Sequence, residues 1–255
     1  MSPPILEVIA TSVPDAVAAE RGGADRLEVV SAMEADGLLP DLDVVRRLRD
    51  TVVLPLRVML RLRPDFSAGT GVMAVVSHAS VVMADGPDLE ALCRAAGRLR
   101  AAGVDQFVYG FLTTGGSLDL DAMHTLYTAA APAGWTLHRA FDHAADAATA
   151  FAACARLPGL DRILSSGSPY DLDAGLSALC ARATWQTPML RWIAGGGLRL
   201  EHIAPLRQAG ITEFHTGRAV RHSHSWDAPV DEPLVRRLKE AVTGESVLPL
   251  GHDGA

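Results

Sequence analysis

The chain has 255 residues, of which 49% are hydrophobic and only 5% aromatic, and its 23 Lys and Arg against 30 Asp and Glu give a net charge of −7. That length suits one α/β domain with a large core, and the shortage of aromatics points to a core of Val, Ile, Leu and Ala. The acidic balance, with no Lys/Arg run interleaved with aromatics, argues against a nucleic-acid surface.

Met1-Ser2-Pro3-Pro4 has no basic segment leading into an apolar stretch, so no signal peptide is expected. No apolar run reaches the roughly 18 residues of a membrane helix. Cys93, Cys154 and Cys180 are too few and too scattered for a disulfide framework. A cytoplasmic location is the expectation.

Short apolar runs then alternate with helical patterns about eight times. Strands are predicted over 5–10, 26–30, 55–60, 106–110, 135–138, 162–164, 189–194 and 213–215. Helices are predicted between them over 14–21, 41–49, 89–102, 119–131, 144–156, 171–181 and 200–208, with a closing helix over 232–242. Gly22, Gly103 and Gly210 read as left-handed caps that lead into the next strand. Ordered strand–helix alternation implies right-handed crossovers and a parallel sheet. Eight units close a (β/α)₈ barrel as a single domain; six would leave a doubly wound open sheet, which is the runner-up. No Gly-x-Gly-x-x-Gly or Walker loop follows the first strand, which weakens that alternative. Segment 65–87 is too long for a plain connection and reads as a short helix or a lid after the third strand. Residues 243–255 read as a tail.

Barrel ligands bind where the strands end. Glu7 lies inside the first strand and Glu28 at the matching place in the second. A carboxylate there must be paired or face a ligand, so the pair is either a buried salt-bridge set with barrel arginines or the acids of a pocket. Arg61 and Arg63 follow the third strand at alternate positions, where they either clamp an anion or neutralise Glu7 and Glu28. The fifth strand ends in His138-Arg139-Ala140-Phe141-Asp142, which supplies an imidazole for proton transfer, a cation and a carboxylate. A structural His138, with Asp142 holding the turn, is the plainer alternative. Ser166 after the sixth strand, Gly195, Gly196 and Gly197 after the seventh, and His215 in the eighth complete a candidate anion cradle. His215, His222 and His224 are weak candidates for a histidine-only metal site, since imidazole suits zinc or copper. The cysteines fall on helices without ligand spacing.

Taken together, Leu6-Glu7-Val8, the run from Gly22 to Glu28, Gly37 to Pro40, Arg61-Leu62-Arg63, Asp65-Phe66, Leu137 to Asp142, Leu164 to Gly167, Ala194 to Gly197 and Glu213-Phe214-His215 resemble the CutC copper-homeostasis family over about residues 5 to 218. The resemblance implies a (β/α)₈ barrel, a cytoplasmic location and a link to copper by name. Members commonly carry cysteine where this chain has Ile9 and Val30, and Arg-Pro-Arg where it has Arg-Leu-Arg.

Two functional readings follow. In the first, the chain is a barrel enzyme for a small anionic molecule, phosphorylated or carboxylated. Arg61, Arg63, Arg139 and the glycine amides hold the anion, and His138 exchanges a proton with Glu7 or Glu28. In the second it is a non-catalytic copper-handling protein. No cofactor is expected beyond copper by family name. Neither nucleic acid nor membrane is expected as a partner, and homo-oligomerisation is left open.

Overall fold

The computed structural model describes residues 3–69 and 87–244. Among these residues, eight parallel strands hydrogen-bond in chain order and close on themselves, the last pairing with the first. The strands are β1 (Ile5–Ala10), β2 (Arg26–Val29), β3 (Leu56–Met59), β4 (Gln106–Tyr109), β5 (Gly134–Leu137), β6 (Leu160–Ser165), β7 (Arg191–Ala194) and β8 (Glu213–Thr216). Helices α1 (Val13–Arg21), α2 (Leu42–Thr51), α3 (Pro87–Ala101), α4 (Leu120–Ala130), α5 (Ala147–Cys154), α6 (Leu172–Arg182), α7 (Leu200–Gln208) and α8 (Glu232–Thr243) alternate with them. The architecture is the expected (β/α)₈ barrel, and the open-sheet alternative is excluded by closure.

Local chemistry sets the helix starts. Ser12, Asp41, Asp119, Asp146, Asp171 and Asp231 each accept an amide of the first turn. These caps satisfy donors that the helix itself leaves unpaired. At the first helix end the left-handed residue is Gly23, with φ of +89°, rather than Gly22. Gly22 has another reason to be glycine: a Cβ there would come within 2.5 Å of the Val235 Cβ on α8. α8 continues through Thr243 and ends at Gly244, so the expected tail starts later than 243; residues 245–255 lie outside the described residues. The expected lid over 65–87 falls largely on 70–86, which also lie outside them.

The main core lies between sheet and helices. Leu6, Val8, Leu27, Val29, Val58, Leu60, Ile163 and Leu206 are all buried in it. Few as they are, the aromatics concentrate there too, with Trp135, Trp192, Tyr109, Phe107 and Phe214 among the largest fully buried side chains. An aliphatic-only core is therefore corrected: rings carried by β4, β5, β7 and β8 fill the layer between sheet and helices beside the aliphatic side chains.

Candidate active site

Strand alternation decides which side chains meet inside the barrel. Leu6, Val8 and Ala10 of β1 join the outer core, which turns Glu7 and Ile9 inward. The same count turns Arg26 and Glu28, Arg57 and Met59, and Glu213 and His215 toward the axis. The amino-terminal half of the interior is a chain of ion pairs. Arg26 binds Glu7 and lies 3.4 Å from Glu213; Arg162 meets Glu213 at 2.7 Å and Asp161 at 3.4 Å; Asp161 holds Arg57 at 2.7 Å. Three acids thus face three arginines, so the ring carries no net charge. A register shift between Trp135 and Thr136 makes Asp161 the extra residue of a bulge, which lets two consecutive side chains reach the same network.

His215 is stacked on that network. Its Nδ1 lies 2.8 Å from Glu7 Oε1 and its Nε2 3.7 Å from Glu28 Oε2. Burial works against the charge of Glu7, but Arg26 and His215 outweigh it and hold the carboxyl well below the usual range. Burial likewise opposes charge on His215, and the two flanking glutamates overcome it and raise its pKa. Burial, helped by the Glu7 charge and only partly offset by His215, pushes Glu28 up to about 7.

Above this layer a cavity of about 430 Å³ opens at the carboxyl ends of the strands. Glu28, Arg61, His138 and Thr216 line it, each only 3% exposed. Each also presents a buried polar atom without a hydrogen-bond partner: Glu28 Oε1, Arg61 Nε, His138 Nε2 and Thr216 Oγ1. Orphaned buried polar atoms are rare and costly, and four among the residues lining one cavity mark a place where a ligand supplies the partners.

The His138 environment fixes what its free atom does. His138 caps a short 3-10 turn over Arg139–His143, and its Nδ1 accepts the Ala140 amide at 3.1 Å. With Nδ1 used as an acceptor, the ring proton belongs on Nε2. Burial first, and then the Arg61 charge, drive its pKa down to about 3. The ring is a neutral donor at physiological pH. The Arg61 guanidinium is held by the Asp36, Gly37 and Pro64 carbonyls and lies 4.7 Å from the Phe66 ring, with no carboxylate in ion-pair contact among the described residues.

The structure divides the sequence candidates. Glu28, Arg61, His138, Arg139, Gly196, Gly197 and His215 line the cavity. Glu7 lies one layer below, in the ion network, as the buried-pair alternative expected. Arg63 is corrected: it turns out to solvent and pairs with Asp88 at 2.9 Å, because the chain after β3 is no longer extended strand. Asp142, a catalytic candidate by sequence, is instead a brace that accepts the Ser166 amide at 2.8 Å, the Ser165 and Ser166 hydroxyls and Arg139 Nε. Ser166 is thereby consumed, its hydroxyl held by Asp142 and the Ser168 carbonyl. Gly195 donates its amide to the Ser165 carbonyl and is not free for an anion. His215 has both nitrogens facing carboxylates. Arg139 spends Nε and Nη2 on Asp142 and on the carbonyls of Ser168, Pro169 and Tyr170. The Gly196 and Gly197 amides meet no backbone or side-chain acceptor among the described residues.

The histidine metal set does not assemble. His222 pairs with Asp231 at 3.0 Å, and His224 sits exposed at the cavity mouth. Among the described residues the acid and imidazole groups close enough to share an ion are Glu7, Glu28 and His215, and Asp173, Glu201 and His202. Both offer oxygen and nitrogen, whereas Cu(I) favours soft sulfur. Cys154 is buried on α5, its thiol pushed up to about 12 by burial, and no cysteine lines the cavity. A thiolate copper site does not fit these residues.

Sequence reasoning missed Thr216, Arg218 and Trp226, which line the cavity after β8. It also missed the Arg26–Glu213–Arg162–Asp161–Arg57 chain. Charged residues at alternate places in apolar strands, as in Arg26-Leu27-Glu28, were the available signal; nothing local marked Trp226.

The profile of the CutC family matches residues 4–220. A family protein CutC from Salmonella paratyphi B is 32% identical over 218 residues, covering 85% of this chain and 80% of that protein. One from Klebsiella pneumoniae is 31% identical over 253 residues, covering 95% and 94%. A solved structure of a copper homeostasis protein CutC from Streptococcus agalactiae superposes with a TM-score of 0.67 at 20% identity, over 84% of this chain and 98% of that one. Ordered strand-end motifs, the closed barrel and these matches lead to one conclusion: the chain belongs to the CutC family.

Proposed function

We propose that the cavity binds a small oxyanion-bearing molecule with a carbonyl group and exchanges a proton beside that carbonyl. The observation that carries this reading is the set of four unpartnered polar atoms around one cavity: Glu28 Oε1, on a carboxyl raised to about 7, the donors His138 Nε2–H and Arg61 Nε–H, and Thr216 Oγ1. A neutral imidazole beside a carboxylate base divides the labour between electrophile and base. Glu28 Oε1 takes the proton from the carbon next to the carbonyl. The C–H pair becomes the new C=C bond, and the carbonyl π pair moves to oxygen, where His138 and Arg61 stabilise it. Return of the proton from Glu28 regenerates the carbonyl. The Gly196 and Gly197 amides and the exposed Arg218 at the mouth are placed to hold a carboxylate or phosphate.

This assigns His138 and Glu28 different parts from those expected: His138 donates a hydrogen bond and Glu28 moves the proton. Copper homeostasis is the association carried by the family name; on this reading it does not arise from a thiolate site in the barrel. The test is deuterium wash-in from D₂O into a panel of 2-keto acids and sugar phosphates, followed by NMR. Exchange above the buffer rate that disappears in Glu28→Gln supports the reading, and exchange unaffected by Glu28→Gln or His138→Ala overturns it.

A further inference from the structure

The cavity has a second face that the proton-transfer set does not use. Ile9, Val30, Met59 and Val108 form a small hydrophobic cluster separate from the main core, and Met33 and Trp226 pack against it half-buried. Ile9, Met33, Met59 and Trp226 all line the cavity. They come from β1, β3 and the loops after β2 and β8, and form an apolar patch of the lining beside the unpartnered polar atoms, with Ile9 level with Glu28 across the β1–β2 pair.

Trp226 is seated by specific neighbours. A Cβ on Gly217 would lie 2.2 Å from its Cη2 and 3.0 Å from Ile9 Cδ1, so only glycine lets the indole lie against the β8 end. The Arg221 guanidinium stands 5.2 Å from the ring, itself fixed by Asp15 at 2.8 Å. The loops that deliver these residues hold non-glycine residues in left-handed backbone: Ala32 with φ of +51° just before Met33, and Ser223 and His224 with φ of +54° and +51° before Trp226. Such strain is costly and persists where surrounding structure imposes it, often at ligand sites.

Resting on the reading of the cavity as an oxyanion seat, we propose that its substrates are amphipathic: a 2-keto acid or related oxyanion that carries an aromatic or branched hydrocarbon arm, with that arm lying against Ile9, Met33, Met59 and Trp226. Methionine thioethers are polarizable and adapt to varied apolar shapes, and an indole face accepts a flat ring. A bare short anion would leave this wall in water and forgo its contribution.

Pyruvate and phenylpyruvate, which share the keto-acid head and differ in the arm, test this by titration calorimetry against the full chain. Phenylpyruvate is expected to bind about tenfold tighter or more, as burial of a phenyl-sized group implies. That ratio is expected to fall toward one in Trp226→Ala and in Met33→Ser, the second variant lying on a half-buried loop position that tolerates change. Equal affinities, or a ratio that survives both variants, would overturn the amphipathic assignment. Absence of saturable binding by either acid, or binding of both that is unaltered in folded Arg218→Gln, would instead overturn the oxyanion seat beneath it.

Discussion

His138 Nδ1 accepts the Ala140 amide at 3.1 Å, and this one contact fixes the ring as an Nε2–H donor facing the cavity. A lowered pKa of about 3 means the neutral tautomer persists throughout the physiological range. In ¹⁵N-resolved NMR His138 is expected to hold constant shifts from pH 5 to pH 8. A titration within that window would contradict the electrophile role.

Glu28 is expected to control the pH dependence of proton exchange. Its carboxyl is raised to about 7, so it is protonated, and unable to accept a proton, below that pH. Exchange into keto acids should therefore rise with pH through about 7 and level off above it. Glu28→Gln removes both the rate and the rising limb; a limb retained in that variant would assign the base elsewhere.

Glu7 is expected to act on stability. It is 1% exposed and bonded to Arg26 and His215. Breaking a buried pair by removing one partner costs about 3–5 kcal/mol. Glu7→Gln should lower the unfolding free energy by that order in urea titration, and Glu7→Gln combined with Arg26→Met should recover part of the loss. Because the native pKa of Glu7 is depressed, its contribution is present above the ordinary carboxylate range and is lost as the pH falls below it. A neutral Glu7→Gln would refute the network.

Gly196 is expected to be irreplaceable without loss of ligand. Its φ is +82°, and an added Cβ would come 3.0 Å from Arg139 Nε and from Ser166 Cβ. Left-handed backbone costs an L-residue about 1–2 kcal/mol. Gly196→Ala should lower stability by about that amount and weaken keto-acid binding severalfold, both read in one calorimetric series; unchanged affinity would remove the Gly196 amide from the cradle.

Anaerobic titration with Cu(I) is expected to show no tight thiolate complex. A one-to-one complex lost in a Cys93/Cys154/Cys180 triple serine variant would contradict the fit argued from the cavity lining. One that survives it would instead direct attention to the thioethers of Met33 and Met59.

Fold and site were legible in the sequence to different depths. The strand–helix alternation locates each β-strand and α-helix of the barrel, since periodicity is a local property, with α7 residue for residue at 200–208, whereas short 3-10 turns such as Met33–Ala35 and His222–His224 carry no such pattern. Glu28, Arg61 and His138 could be picked out because charge within an apolar strand is costly without a purpose. Asp142 and Ser166 misled because their types suit chemistry as well as they suit bracing a turn, and only the contacts distinguish the two. Arg63 misled because two-residue alternation stops where β3 stops. Trp226 was invisible, its place in the cavity depending on Gly217, nine residues earlier, and on Ile9 across the barrel seam.

The most direct test is a crystal structure with phenylpyruvate. The account predicts its keto oxygen within about 3 Å of His138 Nε2 and Arg61 Nε, a normal hydrogen-bond distance, with Glu28 Oε1 facing the methylene carbon. An acid bound outside the barrel mouth, or four unpartnered atoms satisfied by ordered water with the acid absent at saturating concentration, would contradict it.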